Sequence, residues 1–195
     1  MSRLVVTNNV SLDGVMQAPG HADEDRRDGF DHGGWAPPYF DSVMGEVMSG
    51  RIAEGGSLLF GRRTYEKMAA VWPNMPDDNP FTAVMNERRK HVASRTLEAP
   101  LGWTNATLLV GDTVEAVARL KQEAEVDIVI LGSGELVQSL LPHGLIDSFV
   151  LSIHPLLLGR GRRLFADDGS FAELKLVDVT PTTTGVLIAT YEPER

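Results

Sequence analysis

Three times the chain presents a short unbroken apolar run, then a glycine, then a segment of helical periodicity. "SLLF" (57–60) meets Gly61 and "RRTYEKMAAVW"; "TLLV" (107–110) meets Gly111 and "DTVEAVARLKQEA"; "DIVIL" (127–131) meets Gly132 and "SGELVQSLL". Runs of four or five residues without polar alternation belong to strands covered on both faces. The helices that follow supply the cover, so the pattern predicts a largely parallel sheet. In the second unit Asp112 and Glu115 stand at capping-box spacing, with Asp in the role usually taken by Ser or Thr.

The rest of the chain is arranged around this body. Residues 3–10, "RLVVTNNV", read as a strand, β-branched at its centre. From Ser11 to about Pro38 the sequence is polar and rich in Gly, Asp and Pro; loops of that length in compact domains serve as lids or binding loops. Phe40, Val43, Met44, Val47, Met48 and Ile52 then recur at helical spacing. That predicts an amphipathic helix from about Tyr39 to Ala53, covering a pocket together with the loop before it. A short helix near Phe81–Glu87 and a short strand near Lys90–Ser94 are expected next. The C-terminal segments "SFVLSIHPLLLG", "ELKLVDVT" and "GVLIATYEP" are strands with no helices between them, and the chain reverses across Pro181–Gly185. The predicted fold is α/β, a β/α body closed by a β-only tail into one mixed sheet, within a single domain over residues 1–195.

Composition removes several function classes. The 195 residues carry 43% apolar side chains, enough for a sizeable core. A net charge of −9 argues against nucleic acid, because a phosphate backbone selects for a basic face. The absence of cysteine excludes disulfides, thiolate metal sites and thiol nucleophiles. No apolar run approaches the roughly 20 residues that span a bilayer, and the first residues do not form a signal segment. A cytoplasmic protein without a membrane partner is the expectation.

Candidate chemistry gathers where strands end, since parallel α/β sheets bind ligands beyond their carboxyl edges. At Gly132-Ser133-Gly134 the residues are small enough for backbone N–H groups to approach a phosphate at a helix start. The same residues also suit a plain turn with Ser133 as the cap. Val137 replaces the third glycine of the dinucleotide fingerprint, so that motif is incomplete. Gly61-Arg62-Arg63-Thr64 places two arginines in a first helical turn, where they oppose the helix dipole unless an anion is present. Solvated surface arginines are the alternative. Ser94-Arg95-Thr96 pairs a guanidinium with two hydroxyls, which suits a ribose phosphate or an ordinary surface loop. The segment His21–His32 concentrates acids and two histidines, but its spacing fits no calcium loop or His-pair metal motif and reads as a solvated flexible loop. His154 reads as structural. Arg160, Arg162 and Arg163 add positive charge near a ligand or a subunit contact.

Taken together, "SLDGVM", "LLFGRRTYE", "VASRTL" and the long block "ILGSGELVQSLLPHGLIDSFVLSIHPLLLGRGRRLF", followed by two final strands, resemble the reductase domains of riboflavin biosynthesis and the wider dihydrofolate reductase-like family. The segment from Gly33 to Phe40 resembles a bacterial subgroup of the latter. The resemblance covers nearly the whole chain, in order. It implies a three-layer αβα sandwich and an NADPH-dependent reductase. It places Gly61, Arg62, Arg63 and Thr64 on the pyrophosphate and 2′-phosphate side. Ser94 and Arg95 would read the adenosine ribose phosphate, and Gly132, Ser133, Gly134, Glu135 and Leu136 would cradle the pyrophosphate.

The resemblance also puts Asp13 near the nicotinamide and substrate, where a carboxylate would polarise substrate or relay a proton; an Asp-Gly turn closing the first strand is the alternative. Gly14, Trp35 and Tyr39 would join Asp13 at the substrate, the aromatics as a wall or stacking surface, or else as core packing. The implied substrate is small: a pterin- or pyrimidine-like heterocycle, or a carbonyl or imine compound. A 5-amino-6-(5-phosphoribosylamino)uracil or a dihydropterin is the family pattern. No residues match the acidic pterin-binding helix of dihydrofolate reductase, nor the deaminase domain of bifunctional riboflavin enzymes. The family also implies a homodimer. A non-catalytic NADP(H)-binding or sensor protein of the same fold, or a homodimeric scaffold without nucleotide binding, stands as the alternative.

Overall fold

The computed structural model describes residues 2–76, 78–165, 167 and 171–194; the side chains of Ile52, Ala53 and Pro80 fall outside that description. Eight strands form one sheet: β1 (Leu4–Ser11), β2 (Ser57–Gly61), β3 (Lys90–Ala93), β4 (Ala106–Leu109), β5 (Ile128–Leu131), β6 (Ser148–His154), β7 (Leu174–Pro181) and β8 (Leu187–Pro193). Their spatial order is β4-β3-β2-β5-β1-β6-β8-β7. The pairs from β4 through to β6 are parallel, and β8 runs antiparallel to both β6 and β7. The sheet is therefore mixed and mostly parallel, as the apolar runs predicted. The C-terminal strands are antiparallel to one another, while β6 joins them to the parallel body through its pairing with β1.

Strand alternation sends successive side chains to two separate cores. Leu4, Val6, Leu59, Ile128, Ile130, Phe149 and Leu151 pack against α4 (Thr113–Glu123) and α5 (Gly134–Leu140). On the other face Leu58, Phe60 and Val92 pack against Tyr65 of α2 (Arg62–Val71) and Met85 of α3 (Pro80–Glu87). Val150 and Ile188 on that face meet Met44 of α1 (Ser42–Ala53). Helices cover both faces, which gives the αβα layering.

Helix starts follow the sequence. Asp112 accepts hydrogen bonds from Val114 N at 3.0 Å and Glu115 N at 3.1 Å. The reciprocal half of the capping box is replaced by an ion pair of Glu115 with Arg119 at 3.9 Å. Asp41 holds the start of α1, accepting from Met44 N at 2.9 Å while its other oxygen takes the N–H and hydroxyl of Thr183 in the β7–β8 turn. α1 is less buried than its pattern predicts: Met44 is buried, but Phe40 and Met48 are exposed.

The long segment after β1 differs most from expectation. It is tied down rather than solvated. Phe30 and Trp35 form a small core with Val15 and Ala18. Arg160 donates to Gly29 O and Asp31, and Arg162 to Asp28. Asp28 and Asp31 find arginines more than a hundred residues away, which no local pattern reveals, whereas Asp23 and Asp25 pair with the neighbouring Arg26 and Arg27.

Candidate functional site

A cleft of about 1220 Å³ opens along the carboxyl ends of the parallel strands. Strand order fixes its layout. Ser94, Arg95 and Thr96 line it beyond β3, Gly61 to Thr64 beyond β2, Gly132 to Leu136 beyond β5, and Thr7, Asn8, Asn9 and Ser152 along β1 and β6. The three glycine- and arginine-bearing loops therefore lie in one row. Met44 and Met48 of α1 line the β1 end, and Met16 and Met68 also border the cleft.

Ser133 does not cap its own helix. It sits in the left-handed region at φ 59° and its hydroxyl accepts the N–H of Gly61 at 2.9 Å. That bond ties the β2 loop to the β5 loop and spaces the two backbones. Gly132 also has positive φ, and a Cβ there would meet Thr64 Cγ2 at 3.5 Å. At Gly134 a Cβ would fall 2.5 Å from Met16 Sδ, so the small residue is needed for Met16 to reach the cleft. Ser94 folds its own loop, accepting from Thr96 N and Leu97 N at 3.2 and 3.0 Å. Arg95 is exposed and makes no hydrogen bond or ion pair among the described residues.

On an acidic chain the cleft gathers Arg27, Arg62, Arg63, Lys67, Arg95, Arg162 and Arg163, against Glu24, Asp25, Asp112, Glu135 and Asp167. Three arginines from three segments converge on one carboxylate oxygen of Glu135. Arg63 is 2.8 Å away, Arg162 3.3 Å and Arg27 3.5 Å. Among the described residues, Arg27 Nη1 and Arg162 Nε are nonetheless buried without a hydrogen-bond partner. One exposed carboxylate is too little acceptor for this many guanidinium donors. A phosphate, with more oxygens, is the complementary group.

Arg27 and Asp25 anchor the long loop over the cleft. Asp25 accepts from Arg27 Nε at 2.8 Å and faces Lys67 of α2 at 3.4 Å. The Arg27 guanidinium holds the Asp25 carboxyl well below the usual range, against the desolvation of its burial. Gln17 completes the strap, donating to Asp25 O and Arg27 O at 3.1 and 3.0 Å and accepting from Arg162 N at 2.9 Å.

The substrate-side expectations fare differently. Asp13, Gly14, Trp35 and Tyr39 do not line the cleft. Asp13 instead closes a turn: it accepts from Ser11 Oγ at 2.6 Å, Leu158 N at 3.2 Å and Gly159 N at 2.8 Å. The Ser11 hydroxyl, with those two amides, lowers its pKa to about 2. A carboxylate so engaged is ionised near neutrality and is not a proton donor there. Gly14, at φ 81°, belongs to the same turn. Trp35 is buried, with Nε1 donating to Gln17 O at 2.8 Å. Trp35 and Tyr39 both pack edge-on against His154, with ring centroids at 5.1 and 5.5 Å. Trp35 is a core aromatic, and Tyr39 is half-buried against the core.

Sequence reasoning missed Asn9 and Lys67, and it placed Gln17, Arg27, Met44 and Met48 only as parts of the loop and helix expected to cover a pocket. A signal for the first was available: asparagines are depleted in strands, and "VVTNNVS" has two together. Among the described residues no three His, Asp or Glu side chains gather as metal ligands, and no helix is long and apolar enough to cross a membrane.

Comparison with known proteins agrees with this architecture. YyaP of Bacillus subtilis (strain 168) is 30% identical over 139 residues, covering 69% of this chain and 72% of that protein. A Shewanella sp. PV-4 crystal structure, of a protein assigned to riboflavin biosynthesis, superposes with a TM-score of 0.69 at 22% identity, covering 99% of both chains. The Thermotoga maritima diaminohydroxyphosphoribosylaminopyrimidine deaminase/5-amino-6-(5-phosphoribosylamino)uracil reductase superposes with a TM-score of 0.65 at 15% identity; 99% of this chain matches 57% of that one. At these identities the two structures speak for the fold. Residues 3–188 match the RibD C-terminal domain, and with that match over nearly its whole length this chain belongs to the RibD C-terminal domain family.

Proposed function

We propose that this chain is an NADPH-dependent reductase acting on a small heterocycle or a carbonyl or imine compound. The observation that carries the reading is the single row of loops along one cleft, basic at the loops and methionine-lined toward β1. The donor chemistry fits the cofactor. Buried guanidinium N–H groups on Arg27 and Arg162 lack acceptors, and Gly132 and Gly134 leave room beside the β5 loop. Gly61, Arg62, Arg63 and Thr64 would hold phosphate together with the β5 loop. Arg95, unpaired beyond β3, would take the ribose phosphate that distinguishes NADPH from NADH. When bound, NADPH supplies a hydride from the nicotinamide ring. The chain itself orients both partners, and the Gln17–Asp25–Arg27 strap excludes water from above.

One observation favours a second reading. Asp13 is engaged in its turn and does not line the cleft, which suits a non-catalytic NADP(H)-binding or sensor protein. Titration of NADPH and NADH by nicotinamide fluorescence tests both readings. Micromolar binding with preference for NADPH is expected, and no binding at such levels would remove both. NADPH oxidation with pterins, flavin precursors or small carbonyls then separates them, since tight binding without turnover on any of these belongs to the sensor.

The homodimer is likewise our proposal. β7 is an edge strand with Leu176, Val177 and Val179 exposed, a row of apolar and unpaired backbone groups that a second copy would cover. Sedimentation that finds only the 21.3 kDa species would end it.

A further inference from the structure

β1 lies inside the sheet, between β5 and β6, yet carries Asn8 and Asn9 side by side. Two poor strand formers in a central strand need a reason beyond the fold. Alternation separates them. Asn8 shares the parity of Leu4 and Val6 and donates to Met16 Sδ at 3.5 Å. Asn9 shares the other face with Val5, stands in register with Ser152, and lines the cleft.

The amide of Asn9 is held in one orientation. Its Oδ1 lies 3.0 Å from Nε2 of His154, the last residue of β6. An amide oxygen cannot donate, so His154 carries its proton on Nε2. The other tautomer would oppose two lone pairs at Asn9 and strand a buried N–H, because Nδ1 has no partner. His154 is fully buried, and the edge-on packing of Trp35 and Tyr39 holds the ring in place. With Oδ1 fixed on the histidine, Nδ2 of Asn9 is the free end, and no described residue accepts a hydrogen bond from it.

We infer that Asn9 is the hydrogen-bond donor that selects the substrate: its Nδ2 donates to a carbonyl oxygen or ring nitrogen of a heterocycle, and His154 is the positioning residue that aims it. The inference rests on the reductase reading and adds to it a chemical requirement, an acceptor on the substrate at the β1 end of the cleft. A site built to donate rejects an analogue without the acceptor, because the donor is then left unpaired. Burial lowers the His154 pKa to about 4, so the ring is neutral at neutral pH, and Nε2–H donates to Asn9 Oδ1 in either protonation state.

The test uses the full chain saturated with NADP+, with uracil and pterin as probes and binding read by ligand-observed NMR and calorimetry. At least one ring is expected to bind the native protein. Asn9→Asp keeps an acceptor for His154 but loses the donor, and should weaken that ring at least tenfold with NADP+ affinity unchanged within twofold. Asn9→Leu should do the same without adding charge. His154→Phe should weaken the ring several-fold, and His154→Gln, which keeps an N–H for Asn9, should restore it. Unchanged ring affinity in both Asn9 variants would overturn the inference. So would a parallel loss of NADP+ affinity, or failure of both rings to bind native protein that holds NADP+. If the native protein holds no NADP+, the reductase reading itself falls, so the two failures are told apart.

Discussion

The two ends of the cleft are built by different means. The loops beyond β2, β3 and β5 are contiguous segments in which glycines free the backbone and neighbouring arginines supply charge. The β1 end is assembled from single side chains on β1, β6 and α1, and its key contact spans 145 residues, from Asn9 to His154. A phosphate is a uniform anion that a short stretch of backbone and one or two guanidiniums can hold. A small substrate needs a few polar groups on rigid walls, and these come from whichever elements the fold brings together. The first kind of site is local and exposed, and the second is distributed and half-buried.

Four measurements would break or sharpen this contrast, and the largest effect belongs to the buried end. His154 has an ordinary pKa of 6.5, lowered to about 4 by burial. The folded chain therefore binds fewer protons at this site than the unfolded chain between those values. The stability that depends on a neutral ring is complete above about pH 6.5 and is lost as pH falls toward 4. At 1.36 kcal/mol per pKa unit the loss is about 3 kcal/mol. Urea unfolding of native protein and His154→Gln from pH 7 to pH 4 should show that difference, and the two pH slopes should coincide if His154 is not a buried neutral group. The carboxylates lowered by hydrogen bonds, Asp13 among them, lose their contribution only below about 3.8, outside this window.

Next in size is Arg63→Ala. It removes a charged phosphate donor, and NADPH affinity should fall by about tenfold to a hundredfold, since hydrogen bonds to charged groups contribute about 1.5–3 kcal/mol. A change under twofold would take Arg63 out of the phosphate site. Arg95→Ala should lower the NADPH-over-NADH preference by about tenfold, as expected for one exposed guanidinium on one phosphate. An unchanged ratio in fluorescence titration would refute its role. The smallest effect has the opposite sign. Glu135 neutralises the arginines that a phosphate would need, so Glu135→Gln should tighten NADPH about two- to fivefold at low salt. The gain should shrink toward none as salt screens the exposed pairs. Weaker binding in that variant would mean that Glu135 orders the arginines for the cofactor rather than competing with it.

The row of glycine- and arginine-bearing loops was legible because its evidence is local. Gly61-Arg62-Arg63-Thr64 announces itself by arginines set against a helix dipole, and Gly132-Ser133-Gly134 by small residues between a strand and a helix. Even there the detail was not legible: Ser133 reaches across to Gly61 instead of capping its own helix. Asp13 shows the reverse error. "SLDG" is a recognisable motif, but its carboxylate holds the backbone at Leu158 and Gly159, partners that only the folded chain supplies. Asp28 and Asp31 looked solvated for the same reason, since their partners are the distant Arg162 and Arg160.

The sequence by itself determined the alternation of strands and helices, the two buried sheet faces and the edge along which the cleft opens. Those follow from periodicity and backbone chemistry within ten or fifteen residues. Tertiary structure alone decided which polar side chains face the cleft. Asn9 and His154 are ordinary residues of two distant strands until β1 pairs with β6 in the register that sets Asn9 beside Ser152 and Ser11 beside His154. Register is a property of the assembled sheet, and a shift of one residue would turn the amide to the opposite face.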